Sequence, residues 1–275
     1  MTTLPPANVE SKRTYIGRTR TQRQNIDRDV LHRFAAATGS ALEVERHQPP
    51  LAHWAFFIDT VPLEQIGEDG HPLRGDFLPP VTQPRRMFAS GALRFEAALD
   101  LGQPADCVST IADVVHKPGK SGNLIFVEID RVISQAGRAR VHERQTIVYR
   151  DAGAAMPAIT PAETTAAGTL WKPGPLDLFR FSAVTFNSHR IHYDLPYARE
   201  IEGYPDLVVH GPFTAVKLFA FARERAGRPI RSFSFRAMAP LFVSQPIILK
   251  DDQEPGSVCA MRCDGVTAMT AKAQF

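Results

Sequence analysis

The stretch from His210 to Gly227 constrains this chain most. Apolar residues at Phe213, Val216, Leu218, Phe219, Phe221 and Ala222 give a long helix apolar enough to be buried. Gly227 is its natural C-cap, with Pro229 beyond it. At the other end, Gly211 lets the backbone approach a ligand and Pro212 fits the first helical turn. A helix start carries unpaired N–H groups and a partial positive charge, which suits an oxygen gaining negative charge. The chain just upstream brings titratable groups to that end. Leu178 to Val184 alternates and reads as a strand. Asn187, His189 and His192 follow in a polar turn. Asp194 then caps a short helix at Pro196-Tyr197-Ala198, Gly203-Tyr204-Pro205 ends it, and Leu207-Val208-Val209 lead to His210.

The rest of the chain supplies the wrapping. A loose tail to about Tyr15 precedes a helix over Asp27–Thr38, stopped by Gly39. Leu51 to Val61 is apolar on nearly every side and reads as a buried helix broken by Pro62, the counterpart of the Phe213 helix. Gly70 to Pro84 is a loop with Arg74, Arg85 and Arg86 clustered at it. Strands are expected over 86–99, 107–116, 124–134 and 138–149, with a hairpin turn at Gln135-Ala136-Gly137. Residues 151–174, rich in Ala, Thr, Pro and Gly, read as a linker between an N-terminal half (16–150) and a C-terminal half (175–275). Further strands are expected at 231–237, 246–250, 257–263 and 266–275, with Asp264-Gly265 turning the last hairpin. Two α+β halves of similar element order result.

Composition narrows the partners. The net charge of +3 is too small to argue for nucleic acid. No apolar run reaches the length of a membrane span, and the first residues lack a signal core, so a cytoplasmic protein is expected. Cys107, Cys259 and Cys263 are odd in number, which points to buried free thiols in a reducing compartment. His189 and His192 have metal-ligand spacing, but a third ligand of comparable quality is offered only by His210 or Asp194, and no metal is expected.

Asn187-Ser188-His189-Arg190-Ile191-His192 resembles the Asp-x-Asn-Pro-x-His signature of MaoC-like enoyl-CoA hydratases, and Val208-Val209-His210-Gly211-Pro212-Phe213 resembles the His-Gly segment opening their central helix. With Gly70–Pro80 and Pro84–Met87, the resemblance is nearest the double-hotdog subgroup of mesaconyl-C4-CoA and itaconyl-CoA hydratases. It implies two hotdog folds, each a curved antiparallel sheet wrapped around a central helix. It also implies hydration of a 2-enoyl-CoA, with the coenzyme A thioester as substrate and no further cofactor. Two alternatives stay open: a 3-hydroxyacyl-thioester dehydratase of fatty acid metabolism, and an inactive acyl-CoA-binding or partner subunit. Whether such chains form a homo-oligomer also stays open. The signature Asp falls on Asn187, which cannot act as a base, and the signature Asn falls on His189. His192 is the expected acid/base, His189 the second proton-transfer group, Asn187 the positioning group, and the helix-start N–H at Gly211 the thioester-oxygen donor. Arg74, Arg85, Arg86 and Arg190, with Tyr193, His210 and Arg236, are the candidates for holding the substrate and an extra carboxylate; the bland alternative for the arginines is a solvated edge, and for His210 a structural role.

Overall fold

The computed structural model describes residues 6–40, 48–119, 122–162, 167–243 and 245–275. Residues 1–5 of the expected tail and 163–166 of the expected linker lie outside them.

The long strands form where apolar and polar residues alternate and turn signals bound the run. β2 (Arg85–Phe95), β3 (Pro104–Gly119), β4 (Gly122–Gln135) and β5 (Arg138–Arg150) make the N-terminal sheet, with the short β1 (Thr19–Asn25) on its edge. β4 buries every second side chain over most of its length, the period of a strand with one covered face. β7 (Ser232–Ala237), β8 (Ile247–Asp251), β9 (Ser257–Met261) and β10 (Thr267–Gln274), with β6 (Thr169–Trp171) at the edge, make the C-terminal sheet. The two sheets are joined. β2 pairs antiparallel with β7, from Ser90 opposite Arg236 to Arg94 opposite Ser232, giving one ten-stranded sheet in the order β1-β3-β4-β5-β2-β7-β10-β9-β8-β6. At this seam Gly91 has no side chain because the Phe235 ring occupies the space a Cβ would need.

The helices are α1 (Pro6–Arg13), α2 (Arg28–Thr38), α3 (Pro175–Thr185) and α4 (Gly211–Ala226). α4 is the buried helix expected. It lies in the concavity of the C-terminal sheet with Phe213, Leu218, Phe219 and Ala222 buried, and Gly227 caps it at φ 64°. Asp27 caps α2 by accepting a hydrogen bond from the Val30 N–H at 2.9 Å. Among the described residues no helix is long and apolar enough to cross a membrane.

Three expectations are corrected. Pro6–Arg13 is helical rather than loose. Residues 178–184 are helical, not extended: Pro175 sits in the first turn and the Asp177 carboxylate accepts the Gly174 N–H at 2.8 Å, so the start signals override the apolar alternation. Leu51 to Val61 does not form a helix. It makes one 3-10 turn over Ala52–Ala55 and then runs irregularly, with Leu51 and Phe57 at positive φ. That turn is fixed from the sheet. Glu143 of β5, fully buried, accepts from Trp54 Nε1 at 2.7 Å, Gln145 Nε2 at 2.9 Å and Arg131 Nη1 at 3.2 Å, and lies 3.2 Å from His53 Nε2. Two side chains of adjacent residues reaching one carboxylate suit a tight turn better than a helix.

Candidate active site

Where α4 fills the C-terminal concavity, the short 52–55 turn leaves the N-terminal concavity partly open. The result is a cleft of about 380 Å³. Trp54, Phe56, Phe57, Phe88, Ile129, Ile147 and Met269 give it apolar walls, while Gly211, His192, His189, Asn187, His71 and Arg86 face it from the seam between the halves.

His192 ends a 3-10 turn over Arg190–His192 and is buried. Its Nδ1 lies 2.7 Å from the Val208 carbonyl oxygen. A carbonyl only accepts, so Nδ1 carries the proton and Nε2 keeps its lone pair. The ring stacks at 3.6 Å on that of His210, the N-cap residue of α4, which puts it at the helix start. Burial, then the neighbouring His189, pushes His192 well below the ordinary histidine range, so it is neutral at neutral pH. His210 is pushed down by burial and then by His192, and its Nε2 pairs with the Ser182 hydroxyl of α3 at 2.8 Å.

The other expected residues divide. His189 is buried between two rings, 5.3 Å from His192 and 4.2 Å from His71, with its Nε2 3.9 Å from Glu202 Oε1. Asn187 faces the cleft, and its Oδ1 accepts the His189 backbone N–H at 3.0 Å, so it also holds the turn. Arg86 faces the cleft, half-buried, with no ion-pair partner among the described residues. The remaining candidates lie away from the cleft walls. Arg74 donates to the carbonyls of Val81, Gln83 and Pro84 and so shapes its own loop. Arg85 is buried against Glu202 at 3.4 Å and donates to the Gly153 carbonyl. Arg190 pairs with Asp194 at 2.7 Å and donates to the Glu68 carbonyl. Tyr193 is half-exposed, its hydroxyl donating to the Ser188 carbonyl. Arg236 is exposed on the sheet face opposite Phe233 and Phe235. His210 supports His192 from behind rather than lining the cleft.

Sequence reasoning missed His71 and Asp69. They sit in the loop after the 52–55 turn, docked onto the C-terminal half. The Arg190 N–H donates to the Asp69 carbonyl at 2.9 Å, the Ser188 hydroxyl donates to the Gly70 carbonyl, and Gly70 itself is at φ +87° with no room for a Cβ against the Ser188 carbonyl. Asp69 Oδ1 accepts the His71 N–H at 3.0 Å, and Oδ2 lies 3.2 Å from His71 Nδ1. Burial alone would raise Asp69, but the bonds from His71 hold its carboxyl well below the usual range. Burial, then the Arg86 cation, lowers His71 to about 3 against the opposing pull of Asp69. Asp69, His71 and His189 bring nitrogen and oxygen atoms within 4.8 Å of one another. The Arg86 cation lowers His71, and Arg74 lies 3.5 Å from Asp69 Oδ2, so positive charge already stands beside this trio. The Asp69-Gly70-His71-Pro72 loop has no periodic signal, and its place at the site comes from its contact with the C-terminal half.

A neutral imidazole with a free lone pair beside a helix start can handle water next to a carbonyl that gains negative charge. Comparison with known proteins agrees. The family model described as hydroxyacyl-thioester dehydratase type 2, Htd2, matches residues 51–243. The mesaconyl-C4-CoA hydratase of Chloroflexus aurantiacus is 42% identical over 274 residues, 95% of this chain and 96% of that protein. Among solved structures, HtdX of Mycobacterium tuberculosis superposes with a TM-score of 0.69 at 19% identity, covering 93% of this chain and 99% of that one. A second Mycobacterium tuberculosis protein, described as having a double hotdog fold, gives a TM-score of 0.54 at 11% identity over 94% of this chain and 96% of that one.

Proposed function

This chain belongs to the hydroxyacyl-thioester dehydratase type 2 family, a double-hotdog hydro-lyase acting on acyl-CoA, and from that premise we propose that it adds water reversibly to mesaconyl-C4-CoA to give citramalyl-CoA. The supporting observation is the fixed tautomer of His192 beside the start of α4. With the thioester carbonyl against the N–H groups at Gly211, the enolate-like oxygen that forms during addition meets a partial positive charge. The α,β-carbons then lie by the imidazoles, and the attacking water donates one hydrogen bond to His192 Nε2. Asn187, fixed by its bond to the His189 N–H, presents its amide to the cleft as a positioning group.

Arg86 supports the dicarboxylic substrate. In mesaconyl-C4-CoA the free carboxylate sits on the β-carbon, so its anchor must lie next to the proton-transfer groups. Arg86 lines the same cleft as His71, His189 and His192. A guanidinium without a competing partner suits a carboxylate through paired hydrogen bonds. The reaction needs no cofactor beyond the thioester itself, and a cytoplasmic enzyme fits it.

Loss of the enoyl-thioester absorbance tests the reading. The band should decay with mesaconyl-C4-CoA faster than with itaconyl-CoA or crotonyl-CoA, and His192→Ala should lower kcat by about 100-fold or more. If crotonyl-CoA or a longer 2-enoyl-CoA is the better substrate, the dicarboxylic assignment is wrong. If no enoyl thioester reacts, the hydratase assignment is wrong.

A further inference from the structure

The addition of water forms a C–O bond at the β-carbon and a C–H bond at the α-carbon, and breaks one O–H bond of water and the π bond between the two carbons. The imidazole that receives the water's proton becomes a cation and must hold that charge until the α-carbon takes a proton back. His192 is poorly placed to hold it. Its Nδ1 faces only a backbone carbonyl, and its ring lies against two other imidazoles in a buried setting. A carboxylate would normally stand in the motif at residue 187, but here Asn187 occupies that position.

The N-terminal half supplies a carboxylate in a different way. His71 faces the cleft, and Asp69 grips it through both the backbone N–H, at 3.0 Å, and Nδ1, at 3.2 Å. An ionised carboxylate only accepts, so Nδ1 carries the hydrogen and Nε2 of His71 holds the lone pair. The His71 ring lies 4.2 Å from that of His189, which meets His192 edge-on at 5.3 Å. The loop is clamped to residues 188–190 by the Arg190-to-Asp69 and Ser188-to-Gly70 hydrogen bonds, so the pair is delivered to the same end of the cleft as His192.

Building on the hydratase reading, we propose that His71 is a second catalytic residue, with Asp69 as its positioning residue, and that this pair does the work of the carboxylate missing at position 187. The attacking water is held by two imidazoles. One of its hydrogens stays bonded to His192 Nε2 and remains on the new hydroxyl. The other passes to His71 Nε2 as the water oxygen bonds to the β-carbon. The His71 imidazolium, balanced by Asp69, then gives one proton to the α-carbon as the enolate electrons form the C–H bond. One proton is taken and one returned, and no other reactant is required. Burial is the larger cause that disfavours charge on His71, and a substrate carboxylate on Arg86 would offset the second, the Arg86 cation.

The test uses the thioester that wild-type enzyme turns over fastest, whichever it is. His71→Gln, His71→Asn and Asp69→Asn are assayed for kcat and KM, with melting temperature as the check on folding, the asparagine variant standing in if the glutamine variant does not fold. The expected result is a fall in kcat of about tenfold or more for each, reaching about 100-fold for the His71 variants, with KM within about threefold. Deuterium uptake from solvent at the α-carbon of the saturated thioester should fall in step. A folded His71 variant that keeps kcat within about threefold, or loses only in KM, overturns the proposal. His192→Ala inactive beside an active His71→Gln sinks the pair while leaving the hydratase reading intact. A wild type inert to every enoyl thioester removes both.

Discussion

At the level of single residues, the sequence pointed to the right chemistry but to too many arginines. Arg74, Arg85, Arg86 and Arg190 all cluster near the motif, yet three of them are consumed by neighbouring carbonyls or carboxylates. Of these four, Arg86 alone faces the cleft with no ion-pair partner among the described residues. Arg86→Gln should therefore cut kcat/KM for mesaconyl-C4-CoA by about 10- to 100-fold, since a hydrogen bond to a charged group is worth roughly 1.5–3 kcal/mol. The loss for crotonyl-CoA, which lacks the carboxylate, should stay within about threefold. Parallel kinetics on the two substrates check this, and an equal loss on both would make Arg86 structural. His192 was legible from its motif position. Its partners were not, because Val208, His210 and Ser182 come together only through the fold.

Among the elements, α2 and α4 were readable from their capping signals, α3 was read as a strand in spite of its own, and the helix expected over 51–61 is absent. Gly39 and Gly227 end their helices as the sequence suggests. Leu51 to Val61 looks like a buried helix because it is apolar all round. What it buries, however, is the wall of a cleft, and the Glu143 network holds it as a turn. Apolar composition reports burial and not the element that achieves it. The 68–71 loop has the opposite character: short, polar and glycine-bearing, yet fixed from the far half of the chain. Gly70→Ala would combine a positive φ with a collision against the Ser188 carbonyl, a strain on the order of 1–3 kcal/mol. The expected outcome is a lower melting temperature together with a fall in kcat larger than the loss of fold alone gives, because His71 is displaced. Activity measured well below the melting temperature separates the two, and full kcat there would show that the loop position is unimportant.

Across the whole molecule, the same sheet that carries the site also carries a buried charge pair. Burial alone would raise Glu143, but His53 and then Arg131 outweigh it and hold its carboxyl to about 2. Its folded value lies below the unfolded one, so its contribution is complete above the unfolded value of 4.5 and is lost as pH falls through about 2. Urea unfolding at neutral pH should show Glu143→Gln destabilised by about 3–5 kcal/mol, because Arg131 keeps a buried charge without a counterion. That gap should narrow as the pH falls from about 4.5 toward 2. A gap constant with pH would mean that the pair does not govern acid stability. The division into two α+β halves was visible in the repeated order of elements, but nothing in the alternation of β2 or β7 announced that they pair with each other. That seam is a backbone ladder closed over Gly91 by the Phe235 ring, and it leaves no hinge. Swinging the halves apart to admit a bulky ligand would tear that ladder. An acyl thioester must therefore reach the cleft with the seam intact, through the opening the 52–55 turn leaves in the N-terminal concavity.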